Sequence, residues 1–372
     1  MGMKRVIVLG AGASIAHSCG AFPSIMSFFH TAKALGLASS QAFKRISKYS
    51  AKVLGSNILG DDDYIDVEKF FTYLEIDIEK NPSPQLYQLR QDFLYIIQKV
   101  LLNSYGDKQT PDGDYYKLSC LLEKGDTVIT FNWDLLLDNI LQRKIVLGKY
   151  SDKPQKENIR HVQYNNFITN LSAIGEQTLG KISINPPYNK WEQDFGYLLK
   201  VHGSIDWHFC SNGACRAYQK VFPLLTPEKI HYCSECHEVT GYLIIPPILN
   251  KSYKQYPLIR KIWNVAAKEI SAANEIILWG YSLPPTDFYA AWLLAQGRGS
   301  NLQRLTIINP ELINQKTKKG RTAFIKKFYD IYRDVLPKSS LSLYEYFEDY
   351  HAGTDIFHKY PTTVYSKLLN SV

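Results

Sequence analysis

The chain has no apolar run near the roughly 18 residues that a bilayer span requires. Lys4 and Arg5 precede an apolar stretch, as in a secretion signal, but Val6 to Leu9 stops at a glycine and is too short. Val6 stands where a myristoylation pattern needs Ser or Thr. Basic residues are not massed: beyond Lys316, Lys318, Lys319 and Arg321 there is no Lys/Arg block, so the net charge of +8 reads as a solvated surface. The 26 tyrosines are scattered and form no stacking platform. Repeats and low-complexity segments are also missing. What remains is a chain of 372 residues, 45% hydrophobic and 21% charged, able to bury one large core or two modest ones. It is expected in the cytoplasm, away from membranes, with nucleic acid at most an indirect partner.

Cysteine is scarce too, at six residues, and a reducing compartment argues against disulfides. Yet four of the six fall in one short stretch. Cys210 and Cys215 make one close pair, and Cys233 and Cys236 make a second after 17 intervening residues. Two close pairs across such a gap suit a tetrahedral zinc site of four thiolates. His208, His231 and His237 are possible substitutes for a cysteine. Four thiolates leave no open coordination position, so the zinc would hold a module together without doing chemistry. The plainer alternative is four free thiols.

Several short apolar runs each end in Gly, Asn, His or Ser. Residues 4–9 read as a buried parallel strand ended by Gly10. Residues 126–134 run from a strand into the polar turn TFNWD; 197–204 end in His-Gly-Ser; 274–282 and 302–310 are two more. Ligands of an open parallel sheet bind at the carboxyl ends of its strands. The expected fold is therefore α/β, a Rossmann-like doubly wound parallel sheet. Residues about 27–115 read as a helical insertion. Within them Val67, Phe70, Phe71, Leu74 and Ile78 form a helical stripe behind Asp66 and Glu68, and Leu89 to Leu102 form a second helix. The cysteines define a small zinc-binding module over about 206–240. Residues 311–372 read as a helical, aromatic-rich extension beyond a main domain of residues 1–310.

Three groups at the strand ends carry chemistry. Gly10, Gly12 and Ser14 open a strand-to-helix turn whose backbone can approach a pyrophosphate; such a turn also serves tight packing alone. A dinucleotide fingerprint would place a third glycine at position 15, where this chain has Ile15. Asn132 and Asp134, just past a strand, suit an amide-bearing ligand such as nicotinamide. They equally suit an Asx turn capping a helix over Leu135 to Leu141. His202 at a strand end beside Gly203 is placed as a general base, although a lone histidine is more often structural.

Taken in order, GAGAS, TFNWD, VHGS, two cysteine pairs, GYS and IINP resemble the motifs of sirtuins, over residues 4 to 310. The resemblance implies that Gly10, Ala11, Gly12 and Ser14 line the phosphates and ribose of NAD+. Asn132 would sit at the nicotinamide ribose, Asp134 at the carboxamide, and His202 would be the catalytic histidine. Gly280, Tyr281 and Ser282 would hold the adenosine half, with Asn309 near its ribose. Sirtuins carry GAG without the third glycine. This chain departs from them at Phe131, where a glutamine is usual, and after Pro23, where Ser24, Ile25 and Met26 replace an Asp-Phe-Arg segment. It also has LIIPPILNK over residues 243–251, where deacylating sirtuins pair a strand with acyl-lysine peptide; Pro246 and Pro247 disfavour such pairing. DYIDVEKFFTYLE (63–75) and GYSLPPTD (280–287) look closer to bacterial sirtuin-like domains of antiphage systems. Those imply hydrolysis of NAD+ to nicotinamide and ADP-ribose, often in a homo-oligomer and with a partner such as a helicase-type ATPase or an Argonaute. Two other readings remain open, an NAD-dependent protein deacylase and an NAD or ADP-ribose sensor without turnover.

Overall fold

The computed structural model describes residues 3–60, 65–104, 113–123, 125–140, 197–218, 221–223, 231–245, 256–284, 287–299, 301–314 and 317–359. The N-terminal apolar run forms β1 (Arg5–Leu9), which leads through Gly10 into α1 (Ala11–His17). A helical stretch follows: α2 (Phe28–Ala34), α3 (Gln41–Val53), α4 (Val67–Lys80), α5 (Pro84–Asn103) and α6 (Asp114–Leu121). Three of these start where short polar side chains satisfy free N–H groups. The side chains of Ser40, Asp66 and Ser83 accept from backbone N–H groups at the starts of α3, α4 and α5. The stripe predicted on α4 buries Val67, Phe70, Phe71 and Leu74, and its phenylalanines interlock with Phe29 of α2 and Phe93 of α5.

Next come β2 (Thr127–Thr130), β3 (Leu198–Lys200), β4 (Gly203–Phe209), β5 (Val221–Pro223) and β6 (Gly241–Ile244). They are followed by α7 (Pro257–Ser271), β7 (Glu275–Trp279), α8 (Phe288–Ala295), β8 (Arg304–Ile308), α9 (Glu311–Asn314), α10 (Lys318–Tyr332), β9 (Leu341–Tyr344), α11 (Phe347–Ala352) and α12 (Ile356–Lys359). Six strands form one parallel sheet in the order β3-β2-β1-β7-β8-β9. In this sheet the chain runs outward on one side of β1, then returns to β1 and runs outward on the other. That is the doubly wound Rossmann order, with its switch point between β1 and β7. β1, β2, β3 and β7 are almost wholly buried, which is why they read as continuous apolar runs rather than alternating ones.

Two expectations differ from the structure. Residues 197–204 make two strands instead of one. β3 ends at Lys200, and Gly203, at φ +80°, starts β4 in a separate antiparallel sheet of order β5-β4-β6. A side chain there would meet the Leu243 carbonyl at 2.0 Å, so only glycine makes this corner. The expected helical extension carries β9, a sixth strand of the main sheet in register with β8. Its one-sided burial, alternating buried and half-buried residues, hides it from a search for apolar runs. Residues 63–64, 246–251 and 285–286 of the quoted stretches, and Leu141, lie outside the described residues. Among the described residues no helix is long and apolar enough to cross a membrane.

Candidate functional site

A cavity of about 1350 Å3 opens at the carboxyl edge of the main sheet, over the switch point. Gly10, Ala11, Gly12, Ser14, Asn132, Asp134, His202, Gly280, Tyr281, Ser282 and Asn309 all line it. The strand ends therefore bring together residues as far apart in sequence as Gly10 and Asn309, as the switch-point rule requires.

The glycines are demanded first by packing. Gly12 N donates to Gly280 O at 2.9 Å, so the turns after β1 and β7 lie backbone to backbone. A side chain at Gly10 would meet Gly280 O at 2.6 Å, and one at Gly12 would meet it at 2.8 Å. Gly280 sits at φ +63° with Ala13 N only 2.1 Å from where a Cβ would be. Tight packing and an open backbone for a ligand are thus met by the same residues.

Behind this turn lies a buried polar network. Ser14 Oγ donates to Asp134 Oδ2 at 2.7 Å and accepts from Asn132 Nδ2 at 2.9 Å. Asn132 Nδ2 also donates to Gly10 O at 2.9 Å. The second oxygen of Asp134 accepts from Leu136 N at 2.9 Å, so Asp134 is both an Asx cap and a wall of the cavity. Burial raises the Asp134 carboxyl above its usual range, and the nearby Lys200 ammonium and the Ser14 hydroxyl oppose that shift. Ser14 meets a further hydroxyl, that of Tyr115 on α6, at 2.9 Å.

His202 follows Lys200 by two residues, in the turn between β3 and β4. Lys200 is 1% exposed; its ammonium donates to the Asp134 carbonyl and lies 3.0 Å from Asp138 Oδ2. It ties the end of β3, which leads into the turn carrying His202, to the segment carrying Asn132 and Asp134. The other Asp138 oxygen, Oδ1, is buried without a hydrogen-bond partner among the described residues. Asp206 of β4 is pushed up to about 6 by burial and by Asp138.

The His202 ring meets Phe131 edge-on at 5.1 Å and Trp263 of α7 at 6.1 Å, an aromatic surround that sheds water. Phe131 makes much of this wall. Tyr281 donates its hydroxyl to Asp287 Oδ2 at 3.0 Å. Asn309 Nδ2 donates to Tyr281 O at 3.3 Å, which locks the exits of β7 and β8 together. Lys327 of α10 donates to the Ser282 carbonyl.

Several residues around the site escaped sequence reasoning. Tyr115, buried behind the cavity against Ser14, has no pattern to betray it. His17 of α1 lines the cavity, and burial lowers its imidazole to about 4, so it is neutral near pH 7. Glu345 and Tyr346 follow β9 and line the far wall. The rule that strand ends build the site would have found them had β9 been recognised.

The four cysteines expected to hold zinc come together. The sulfurs of Cys210, Cys215, Cys233 and Cys236 all lie within 4.8 Å of one another. Cys210 Sγ is 3.7 Å from Cys236 Sγ, and Cys215 Sγ is 3.8 Å from Cys233 Sγ. A tetrahedron with Zn–S bonds of about 2.3 Å has edges of roughly 3.8 Å. Ala217 N donates to Cys215 Sγ at 3.2 Å, as suits a sulfur carrying negative charge. The geometry and donor set fit a zinc ion held by four thiolates. His208 is not among them; its Nδ1 pairs with Thr240 Oγ1 at 2.9 Å.

No family model and no curated protein matches the chain. In structure it is similar to a mutant Sir2 homologue in complex with 2′-O-acetyl ADP ribose, at 12% identity and a TM-score of 0.39, covering 90% of this chain and 94% of that one. It is also similar to a Sir2 homolog–NAD complex, at 12% identity and a TM-score of 0.36, covering 89% and 90%. Likeness at that level transfers no residue's role.

Proposed function

We propose that the protein consumes NAD+, hydrolysing the bond between nicotinamide and its ribose to give nicotinamide and ADP-ribose. The observation that carries this reading is the convergence of His202, Asn132 and Asp134 with the packed glycine turns in one cavity at the switch point of a Rossmann-ordered sheet. An extended dinucleotide suits a cavity of about 1350 Å3, larger than the roughly 300–1,000 Å3 of ordinary small-molecule pockets.

The chemistry needs no acid, because nicotinamide leaves from a cationic ring. The C1′–N bond breaks and its electron pair neutralises the pyridinium nitrogen. A water oxygen bonds to C1′, and the water's proton passes to His202. The ring wall of Phe131 and Trp263 keeps bulk water off the imidazole. Asn132, with its amide nitrogen held by Gly10 O and Ser14 Oγ, orients the ribose or the attacking water through the remaining amide oxygen. Asp134 fixes the carboxamide. Gly280, Tyr281, Ser282 and Asn309 line the adenosine half. The four cysteines hold a structural zinc and take no part in the reaction.

The sequence resemblance extends the proposal to a role as the NAD+-depleting effector of a bacterial antiphage system. There it would work as a homo-oligomer, with a helicase-type ATPase or an Argonaute as a possible partner. The test is to incubate purified protein with NAD+, with and without an acyl-lysine peptide, and to measure nicotinamide. Release with NAD+ alone supports the hydrolase. Release only with peptide replaces it by a deacylase. Tight NAD+ binding without nicotinamide replaces it by a sensor.

A further inference from the structure

We propose that Tyr115 is a positioning residue of this cavity, whose hydroxyl holds Ser14 and, through it, the Asn132 amide in a single orientation. The proposal rests on the hydrolase reading only for its kinetic readouts.

It follows from counting protons. A serine hydroxyl has one proton and two lone pairs. Ser14 donates that proton to Asp134 Oδ2 at 2.7 Å. One lone pair accepts from Asn132 Nδ2 at 2.9 Å. The Tyr115 Oη, 2.9 Å from Ser14 Oγ, must then be the donor to the remaining lone pair. The Ser14 hydroxyl is saturated, so it is an internal strut and has nothing left to offer a phosphate or a ribose. Asn132 Nδ2, held by Gly10 O and Ser14 Oγ, is also 3.5 Å from Tyr115 Oη, which can take a share of its second proton. With its nitrogen end held, the planar amide turns its oxygen end the opposite way.

The ring of Tyr115 is fixed independently of its hydroxyl. It is 1% exposed, meets Trp279 edge-on at 5.3 Å and lies 4.8 Å from the His17 ring. Its backbone N donates to His17 Nδ1 at 3.4 Å. A phenylalanine would pack in the same place, so the hydroxyl is there for its hydrogen bond. Burial raises the phenol well above its usual range, so the donor stays protonated at neutral pH.

Tyr115→Phe tests this. The expected result is a fall in kcat of about tenfold or more, as for a buried hydrogen bond lost, with KM for NAD+ changed by less than about twofold. Exchange of the Asn132 side-chain amide protons, followed by NMR and identified by their loss in Asn132→Asp, should quicken by a similar factor. Ser14→Ala should show both effects. Because both groups act through one hydroxyl, Tyr115→Phe should add little to Ser14→Ala. The proposal is overturned if Tyr115→Phe leaves Asn132 exchange unchanged, whatever its turnover, or if the two losses multiply. Should the wild-type protein release no nicotinamide, the hydrolase reading fails, and the exchange measurement still decides the role of Tyr115.

Discussion

Phe131 lies flat on Tyr281, with ring centroids 4.6 Å apart and planes 9° from parallel. The two rings come from the exits of β2 and β7, the strands on either side of β1, so they bridge the switch point. His202 abuts the edge of this stack. Phe131→Ala should therefore cost about 3–5 kcal/mol of stability, as for a large ring removed from a packed core. It should also lower nicotinamide release in protein that remains folded, since the imidazole loses its wall. Urea unfolding and a turnover assay below the transition check both.

His202→Ala and Asn132→Ala should each reduce nicotinamide release by at least about a hundredfold, the usual range for a lost general base or its positioning partner. Both variants should remain folded at the assay temperature, with Asn132→Ala melting lower because Gly10 O and Ser14 Oγ lose a buried donor. Normal turnover by both variants would refute the roles given to them.

Lys200 is the cation between two faces of the site. Lys200→Met leaves Asp138 buried without its charge partner, which should cost about 3–5 kcal/mol. Replacing both, as Lys200→Met with Asp138→Leu, should recover much of that loss. Turnover should not recover, because the tether from the end of β3 to the Asp134 carbonyl is still cut. Chemical denaturation and nicotinamide release, measured on the same three proteins, separate the two effects.

Asp206 sets a dependence on acidity. Burial and Asp138 push its carboxyl up to about 6, against an ordinary value of 3.8. The folded protein therefore binds a proton more tightly than the unfolded chain. The stabilisation is fully present below about pH 4 and is lost as pH rises through about 6. A shift of this size is worth at most roughly 3 kcal/mol. His17, pushed down to about 4, works in the opposite direction, so the raw pH profile mixes the two. The comparison with Asp206→Asn isolates the term. The stability of wild type relative to that variant should grow between pH 7 and pH 4, by urea titration at each pH. No growth would rule out the assignment.

The cysteine module should carry one zinc ion per chain by elemental analysis. Cys233→Ser, or prolonged chelation, should release it and loosen β4 and its neighbours, since structural zinc contributes directly to folding. The cavity residues are outside the cluster, so turnover should fall only as the module unfolds.

Five strands of the main sheet were readable because each is a short apolar run stopped by Gly, Asn, His or Ser, as Val6 to Leu9 are stopped by Gly10. β9 was not, because Leu341 and Leu343 point inward while Ser342 and Tyr344 are half-exposed, and that alternation is weak over four residues. The site was legible where it lies at strand exits. Asn132 and His202 could be named, whereas Tyr115 reaches Ser14 from a helix in the insertion. Its role depends on a contact across 101 positions that no local spacing encodes. Gly203 was visible as a flexible neighbour of His202, but only its positive φ and the approach of Leu243 show that it turns the chain out of one sheet into another.

β1 is synthesised before the other strands of its sheet, yet it lies in the middle of that sheet, with β7 as one of its two neighbours. About 260 residues separate Leu9 from Glu275, and translation at roughly 5–20 residues per second needs some tens of seconds to make them. During that interval one edge of the most apolar strand has no native mate, and the glycine turn above it has no opposing backbone. A nascent chain in this state needs shielding from its neighbours. It also has no formed cavity, so a ribosome carrying it would hold a protein that is inert until its second half emerges.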